Sequence, residues 1–141
     1  MATAPACSAP RGCGTCPSVA AGALYFAVLF GLGCLLGPVR ELLLTPRFGS
    51  TLAAAIEAVP MLAGMALAAP WAARLLEVPP TIGARLRMGG MGLVLLVLAE
   101  TALDWLLRGR GLWLERTRTP AGWIGLGLLA AFAAMPLLRR R

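Results

Sequence analysis

The sequence predicts an all-α membrane protein in which four transmembrane helices form a bundle behind a flexible N-terminal tail. Hydrophobic residues make up 59% of the 141-residue chain and charged residues only 13%, and the mean hydropathy is +0.79. Four separate apolar runs approach or reach the length of about 20 residues that a helix needs to cross a bilayer. Because this composition is too apolar for a soluble domain, we expect the chain to lie in a membrane.

The predicted tail covers 1–17, and the predicted transmembrane domain covers 18–141. The tail is rich in Ala, Pro, Gly and Cys and shows no hydrophobic periodicity, which is typical of a flexible segment. The first span covers about 18–39 and carries no charge. Its small residues either let helices approach closely in lipid or simply reflect the glycine-rich composition. They recur at four-residue spacing in two pairs, Ala27 with Gly31 and Gly33 with Gly37.

The first and second spans are joined by a predicted turn that contains Pro46, Arg47 and Gly49. The second span covers about 50–73 and carries a carboxylate, Glu57, in its interior. A charge inside a membrane-length segment costs about 2.5–3.5 kcal/mol on insertion scales. Glu57 therefore needs a partner, a water-filled cavity or neutralisation.

The third span, about 82–107, is the most polar of the four. Its uncharged core, 88–99, is too short to cross a bilayer alone. We therefore expect Glu100 and Asp104 to lie within the hydrocarbon or at its edge. The fourth span covers about 120–138 and begins with a proline, which is favourable in the first turn of a helix.

Four spans place the first and third loops on the same side of the membrane. One half of the bilayer then holds an intramembrane charge cluster that consists of Arg40, Glu57, Glu100 and Asp104. The long Arg40 side chain is able to reach a carboxylate by snorkelling. One hypothesis is an ion pair of Arg40 with Glu57 or Glu100 that specifies the fold. Another is a small proton- or cation-coupled transporter that works through Glu57, and a third is a contact between subunits.

Residue types missing from the sequence narrow its chemistry. His and Lys are both absent, so the chain has no imidazole base, no imidazole metal ligand and no amine for Schiff-base chemistry. We expect no enzymatic activity and no cofactor. The net charge of +7 comes from arginines that fall mainly in short loops and at the C-terminus. There they meet lipid head groups, so nucleic acid is not an expected partner.

Cys13 and Cys16 have the C-x-x-C spacing of metal and redox sites. Neither a second such pair nor a histidine accompanies them, and a closed zinc site needs four ligands. These two cysteines are therefore weak candidates for metal ligands, and the alternative is that they belong to a flexible tail without a binding site. Cys34 lies in the first span, and we expect it to be a small buried hydrophobic residue.

Three stretches of the sequence resemble an uncharacterised family of small four-span bacterial integral membrane proteins. They are GPVRELLLTPRFG at 37–49, the later Glu57-x-x-Pro60, and the segment Arg85-Leu-Arg-Met-Gly. The resemblance covers about 31–138. It implies a four-helix inner-membrane protein with no assigned activity.

The predicted role is that of a structural or accessory subunit of the bacterial inner membrane. Its expected partners are the lipid bilayer and either further copies of itself or a larger membrane complex. Seven arginines fall on the side of the N-terminus, the second loop and the C-terminus, and six fall on the opposite side. By the positive-inside rule, both termini are expected in the cytoplasm.

Overall fold

The structure, a computed structural model, describes residues 15–108 and 117–138. These residues are helical almost throughout and include no β-strand, which confirms the all-α prediction. Three helical stretches are long and apolar enough to cross a membrane, and they are Pro17–Leu75, Ile82–Leu106 and Pro120–Leu138. The length and composition of these helices agree with the prediction of a membrane protein.

The first helix, α1, covers Thr15–Val39 and continues directly into a π-helical segment, Arg40–Leu44. In this segment the N–H of Thr45 donates to the carbonyl oxygen of Arg40, five residues earlier. Prolines stand on both sides, at Pro38 inside α1 and at Pro46 after the segment. A proline has no N–H to donate and clashes with the preceding turn, so the regular series of α-helical hydrogen bonds is already interrupted here. Short π-helical segments are rare in proteins, and many of those that occur lie at functional sites.

The second helix, α2, covers Thr45–Leu75, and its chain direction reverses at Gly49. The φ and ψ of Gly49 are 78° and 163°, a conformation that is essentially restricted to glycine. Leu29 and Leu32 of α1 lie against Gly64 of α2, so the two arms run antiparallel. Where the sequence suggested a turn over 46–49, the backbone is helical through Phe48 and reverses at Gly49 alone.

The third helix, α3, covers Ile82–Arg108, and the fourth, α4, covers Pro120–Leu138. A threonine precedes each helix and caps it: the hydroxyl of Thr81 accepts from the N–H of Ala84, and that of Thr119 from the N–H of Gly122. A short connection puts the start of α3 at the end of α2. Because α2 is antiparallel to α1, α3 runs in the same direction as α1.

The helices pack in a ring. Within the described residues, α1 contacts α2, α2 contacts α4, α4 contacts α3, and α3 contacts α1. Tyr25 of α1 reaches across the centre to Phe132 of α4, with ring centroids 4.5 Å apart, and its hydroxyl donates to the Phe132 carbonyl oxygen at 3.2 Å. Both side chains are fully buried. They form the middle of an otherwise apolar core.

Glycines allow the close contacts between helices. A Cβ at Gly22 of α1 would lie 2.6 Å from the carbonyl oxygen of Met88 in α3, and one at Gly89 would lie 2.5 Å from that of Ala133 in α4. By contrast, a Cβ at Gly31, like one at Gly33 or Gly37, would meet nothing within 4 Å. The small residues noted in the first span therefore do not mediate packing within the chain.

Candidate functional site

Three charged residues on the two arms that meet at Gly49 form one connected network. Arg40 lies in the π segment and Glu57 lies in α2, and the Arg40 Nη1 donates to the Glu57 Oε2 at 2.9 Å. The Arg40 Nη2 donates to the Oε1 of Glu41 at the same distance. We call Arg40, Glu41 and Glu57 the hairpin ion cluster. One guanidinium thus bridges two carboxylates through separate nitrogen atoms.

The register of the hairpin explains why Arg40 meets Glu57. Arg40 is nine residues before Gly49 and Glu57 is eight residues after it. At a rise of 1.5 Å per residue, both lie about 12–14 Å from the reversal, so their side chains face one another at the same height. The contact is therefore set by where the chain turns.

The members of the hairpin ion cluster differ in burial. The Glu57 side chain is 13% exposed, that of Arg40 is 35% exposed, and that of Glu41 is 50% exposed. Glu57 is the most buried of the three side chains, and the positive charge of Arg40 compensates its negative charge. Glu41 lies at the outside of the cluster, where an ion pair contributes little to stability.

Glu100 and Asp104 lie on α3, at a different height from the hairpin ion cluster. Gly22 of α1 packs against the stretch from Met88 to Gly92 of α3, which aligns the two parallel helices. Arg40 is 18 residues beyond Gly22, whereas Glu100 is 8–12 and Asp104 is 12–16 residues beyond that stretch. At 1.5 Å per residue, Glu100 ends about 9–15 Å short of Arg40 along the axis and Asp104 about 3–9 Å short. Neither carboxylate is without a partner, and Arg40 forms ion pairs with Glu41 and Glu57.

The predicted turn residues have separate positions. Pro46 occupies the start of α2, where the missing N–H costs least. Arg47 is exposed on the same short helical turn, and Gly49 is the point of reversal. Of the three, Gly49 sets the geometry of the hairpin.

The cysteines add no metal site to the described structure. Cys13 lies outside the described residues, and Cys16 lies in the first turn of α1. The described part of the chain holds no group of three His, Cys, Asp or Glu residues placed to bind a metal ion. Cys34 is free and exposed, so the prediction that it is buried was wrong. On the outside of a membrane helix a small apolar side chain contacts lipid as readily as protein, and hydropathy does not distinguish the two.

Comparison of the chain with protein-family models, with curated proteins and with solved structures finds no match. What the hairpin ion cluster does must therefore be inferred from its own geometry and burial.

Sequence reasoning did not single out Glu41 or the π segment. The available signal was local: an Arg-Glu pair stands between Pro38 and Pro46, which interrupt the ladder of hydrogen bonds from both directions. A helix that is distorted at such a place can bring two consecutive charged side chains together, as it does for Arg40 and Glu41.

Proposed function

We propose that the chain is an integral protein of the bacterial inner membrane that crosses the bilayer four times. The stretch Pro17–Leu75 has 59 residues, nearly three times the length of about 20 residues that one crossing requires. Its fold at Gly49 yields two arms, and the shorter arm, 50–75, is about 39 Å long at 1.5 Å per residue. Together with α3 and α4, this supports two hairpins with both termini on the same side of the membrane, and the arginine distribution assigns that side to the cytoplasm. Reporter fusions at the C-terminus test the orientation.

We propose that its role is structural or accessory, and that the hairpin ion cluster holds the first two spans together. The observation that carries this proposal is the 2.9 Å contact between Arg40 and Glu57, in which the carboxylate is only 13% exposed. An ion pair in low dielectric is strongly coupled to the geometry that forms it, because either charge alone is costly there. The ion pair thus favours one alignment of the two arms over other alignments.

Self-association or entry into a larger membrane complex is part of this proposal. Ala27 and Gly31 of α1 are exposed, and a Cβ at Gly31 would meet nothing within 4 Å. Small residues on the outer face of a membrane helix allow the backbone of another helix to approach closely. The outer face of α1 is the one we assign to such a contact.

A second candidate function is a small proton- or cation-coupled transporter that works through Glu57. One observation favours it: Arg40 contacts two carboxylates. If Glu57 took up a proton or a cation, Arg40 would keep Glu41 as a partner. The cluster therefore has two arrangements in which the guanidinium stays paired, which a carrier cycle needs.

Three variants at the hairpin ion cluster test the structural proposal. Arg40→Gln leaves Glu57 without its cation, so we expect a loss of about 2–4 kcal/mol of stability and reduced accumulation in the membrane. Glu57→Gln leaves Arg40 paired with Glu41, so its cost should be smaller, about 1–2 kcal/mol. The double variant Arg40→Gln/Glu57→Gln should recover most of what Arg40→Gln loses. Glu41→Gln is the matched control, because it removes a charge at the exposed edge.

Unfolding in mixed micelles and the amount of protein in isolated membranes provide the readouts. If the double variant is as unstable as the sum of the single variants, the two residues do not act as a pair and the structural role is refuted. If Glu57→Gln accumulates normally but abolishes proton- or cation-driven uptake into proteoliposomes, the transporter function replaces it.

A further inference from the structure

Arg85, in the first turn of α3, is a buried cation, and two of its three guanidinium nitrogen atoms have no hydrogen-bond partner in the described structure. Only 6% of its surface is exposed. Its Nε and Nη1 atoms are both buried, and neither donates a hydrogen bond to any atom of the described residues. A guanidinium cannot neutralise itself by losing its proton. Buried donors of this kind are almost always paired, so this one points to an acceptor that the described residues do not supply.

The position of Arg85 places it near one membrane face. Gly89, one turn further along α3, packs against Ala133 and Pro136 near the end of α4. Arg85 therefore lies on the α4-facing side, at the end of the bundle where α3 starts and α4 finishes. This is the level of the lipid head groups if α3 crosses the bilayer.

The start of α3 adds further positive character to the same place. Side chains on a helix lean toward its N-terminus, so the Arg85 guanidinium is carried toward the first turn. The first N–H groups of a helix have no intrahelical acceptor and form the positive end of its dipole. The hydroxyl of Thr81 satisfies the N–H of Ala84. The Arg85 guanidinium and the first turn of α3 thus place positive charge at the same end of the bundle.

We propose that Arg85 and the start of α3 form a binding site for a phosphate group at the membrane surface. The planar guanidinium donates two parallel hydrogen bonds to oxygen atoms of a phosphate, and helix N-termini bind the same group. Two sources share this chemistry: the head group of an anionic phospholipid, and free inorganic phosphate. The site rests on the membrane placement of α3 and is independent of the hairpin ion cluster.

The test compares Arg85→Gln with Arg87→Gln in neutral detergent. Arg87 is exposed and lies two residues along the same helix, so this control removes the same charge without touching the buried guanidinium. The melting temperature is followed during titration with phosphatidylglycerol, with phosphatidylcholine and with inorganic phosphate. We expect phosphatidylglycerol to stabilise the wild type and Arg87→Gln. For Arg85→Gln the apparent affinity should fall roughly ten- to hundred-fold, as expected for the loss of charged hydrogen bonds.

The same variants give a second readout without any anion. If the partner of Arg85 comes from outside, the wild type holds an uncompensated buried charge in neutral detergent. Arg85→Gln and Arg85→Met should then melt at the same temperature as the wild type or higher. If both variants melt several degrees lower, or fail to fold there, the guanidinium is paired within the protein and the proposal is overturned.

The titrations with lipid and with inorganic phosphate identify the source of the phosphate group. Stabilisation by phosphatidylglycerol but not by inorganic phosphate supports a lipid head group, and stabilisation by inorganic phosphate supports a soluble anion at the same site. Equal responses of Arg85→Gln and Arg87→Gln, or no response of the wild type to either anion, would overturn the site. The variants at Arg40 and Glu57 report on the other end of the molecule, so failure here leaves the structural proposal standing.

Discussion

Replacement of Gly89 by alanine tests the packing of α3 on α4. The new Cβ would lie 2.5 Å from the carbonyl oxygen of Ala133, against about 3.4 Å for an ordinary contact. The oxygen belongs to the α4 backbone and cannot rotate away, so α4 must move by about 0.9 Å or the two helices must tilt apart. Overpacking of this kind costs about 1–3 kcal/mol.

The neighbouring glycine provides a matched control. A Cβ at Gly90 would meet nothing within 4 Å, and Gly90→Ala makes the same change of side chain one residue further along α3. Both substitutions gain up to about 1 kcal/mol of helix propensity. The difference between the two variants therefore isolates the clash, and we expect Gly89→Ala to be less stable than Gly90→Ala by about 1–3 kcal/mol.

The assay is unfolding of the purified protein in dodecylmaltoside micelles with a rising fraction of SDS. Near-ultraviolet circular dichroism reports tertiary packing around Tyr25 and the tryptophans, whereas helix content persists in SDS. If the two variants unfold within about 0.5 kcal/mol of each other, the close approach at Gly89 does not contribute to stability and the packing described for α3 and α4 is refuted.

Three further predictions each follow from a single residue. Gly49→Ala should lose about 1–3 kcal/mol in the same assay from backbone strain alone, because φ is 78° and the space around a Cβ is empty; a stability equal to wild type would contradict this. Tyr25→Phe removes the hydrogen bond to the Phe132 carbonyl and should cost about 0.5–1.5 kcal/mol, whereas a cost near zero would mean that the ring alone matters. In a variant whose single cysteine is Cys34, a membrane-permeant maleimide should label the protein in vesicles and a charged one should not; labelling by both would place Cys34 in water.

The helices were predictable because long apolar runs have few other structures in a membrane. Which side of each helix faces protein was not predictable, because lipid and protein interior are equally apolar and leave no hydrophobic periodicity to follow. The first span shows this: Gly31 was a reasonable packing candidate by spacing, yet Gly22 makes the close contact and Gly31 faces outward. Cys34 was misplaced for the same reason.

The hairpin ion cluster was partly predictable. Topology and residue spacing were enough to name Glu57 as a partner for Arg40, but they left Glu100 as an equal alternative. The choice depends on the residue at which the chain reverses. Because the chain stays helical through Phe48 and reverses at Gly49, Arg40 and Glu57 lie at nearly equal distances from the reversal. Proline at the start of a helix is tolerated, so Pro46 did not mark the turn.

The ring order of the helices has a consequence for how the chain assembles during synthesis. In that order, α3 packs beside α1 and lies diagonally across from its predecessor, α2. After the first three helices have left the ribosome, α2 and α3 therefore each retain an uncovered inner side. Helix α4 contacts both of them, on the side of the ring opposite α1. The fourth helix is thus the one that closes the bundle, and an intermediate with three helices would depend on lipid or on a membrane chaperone to cover the gap.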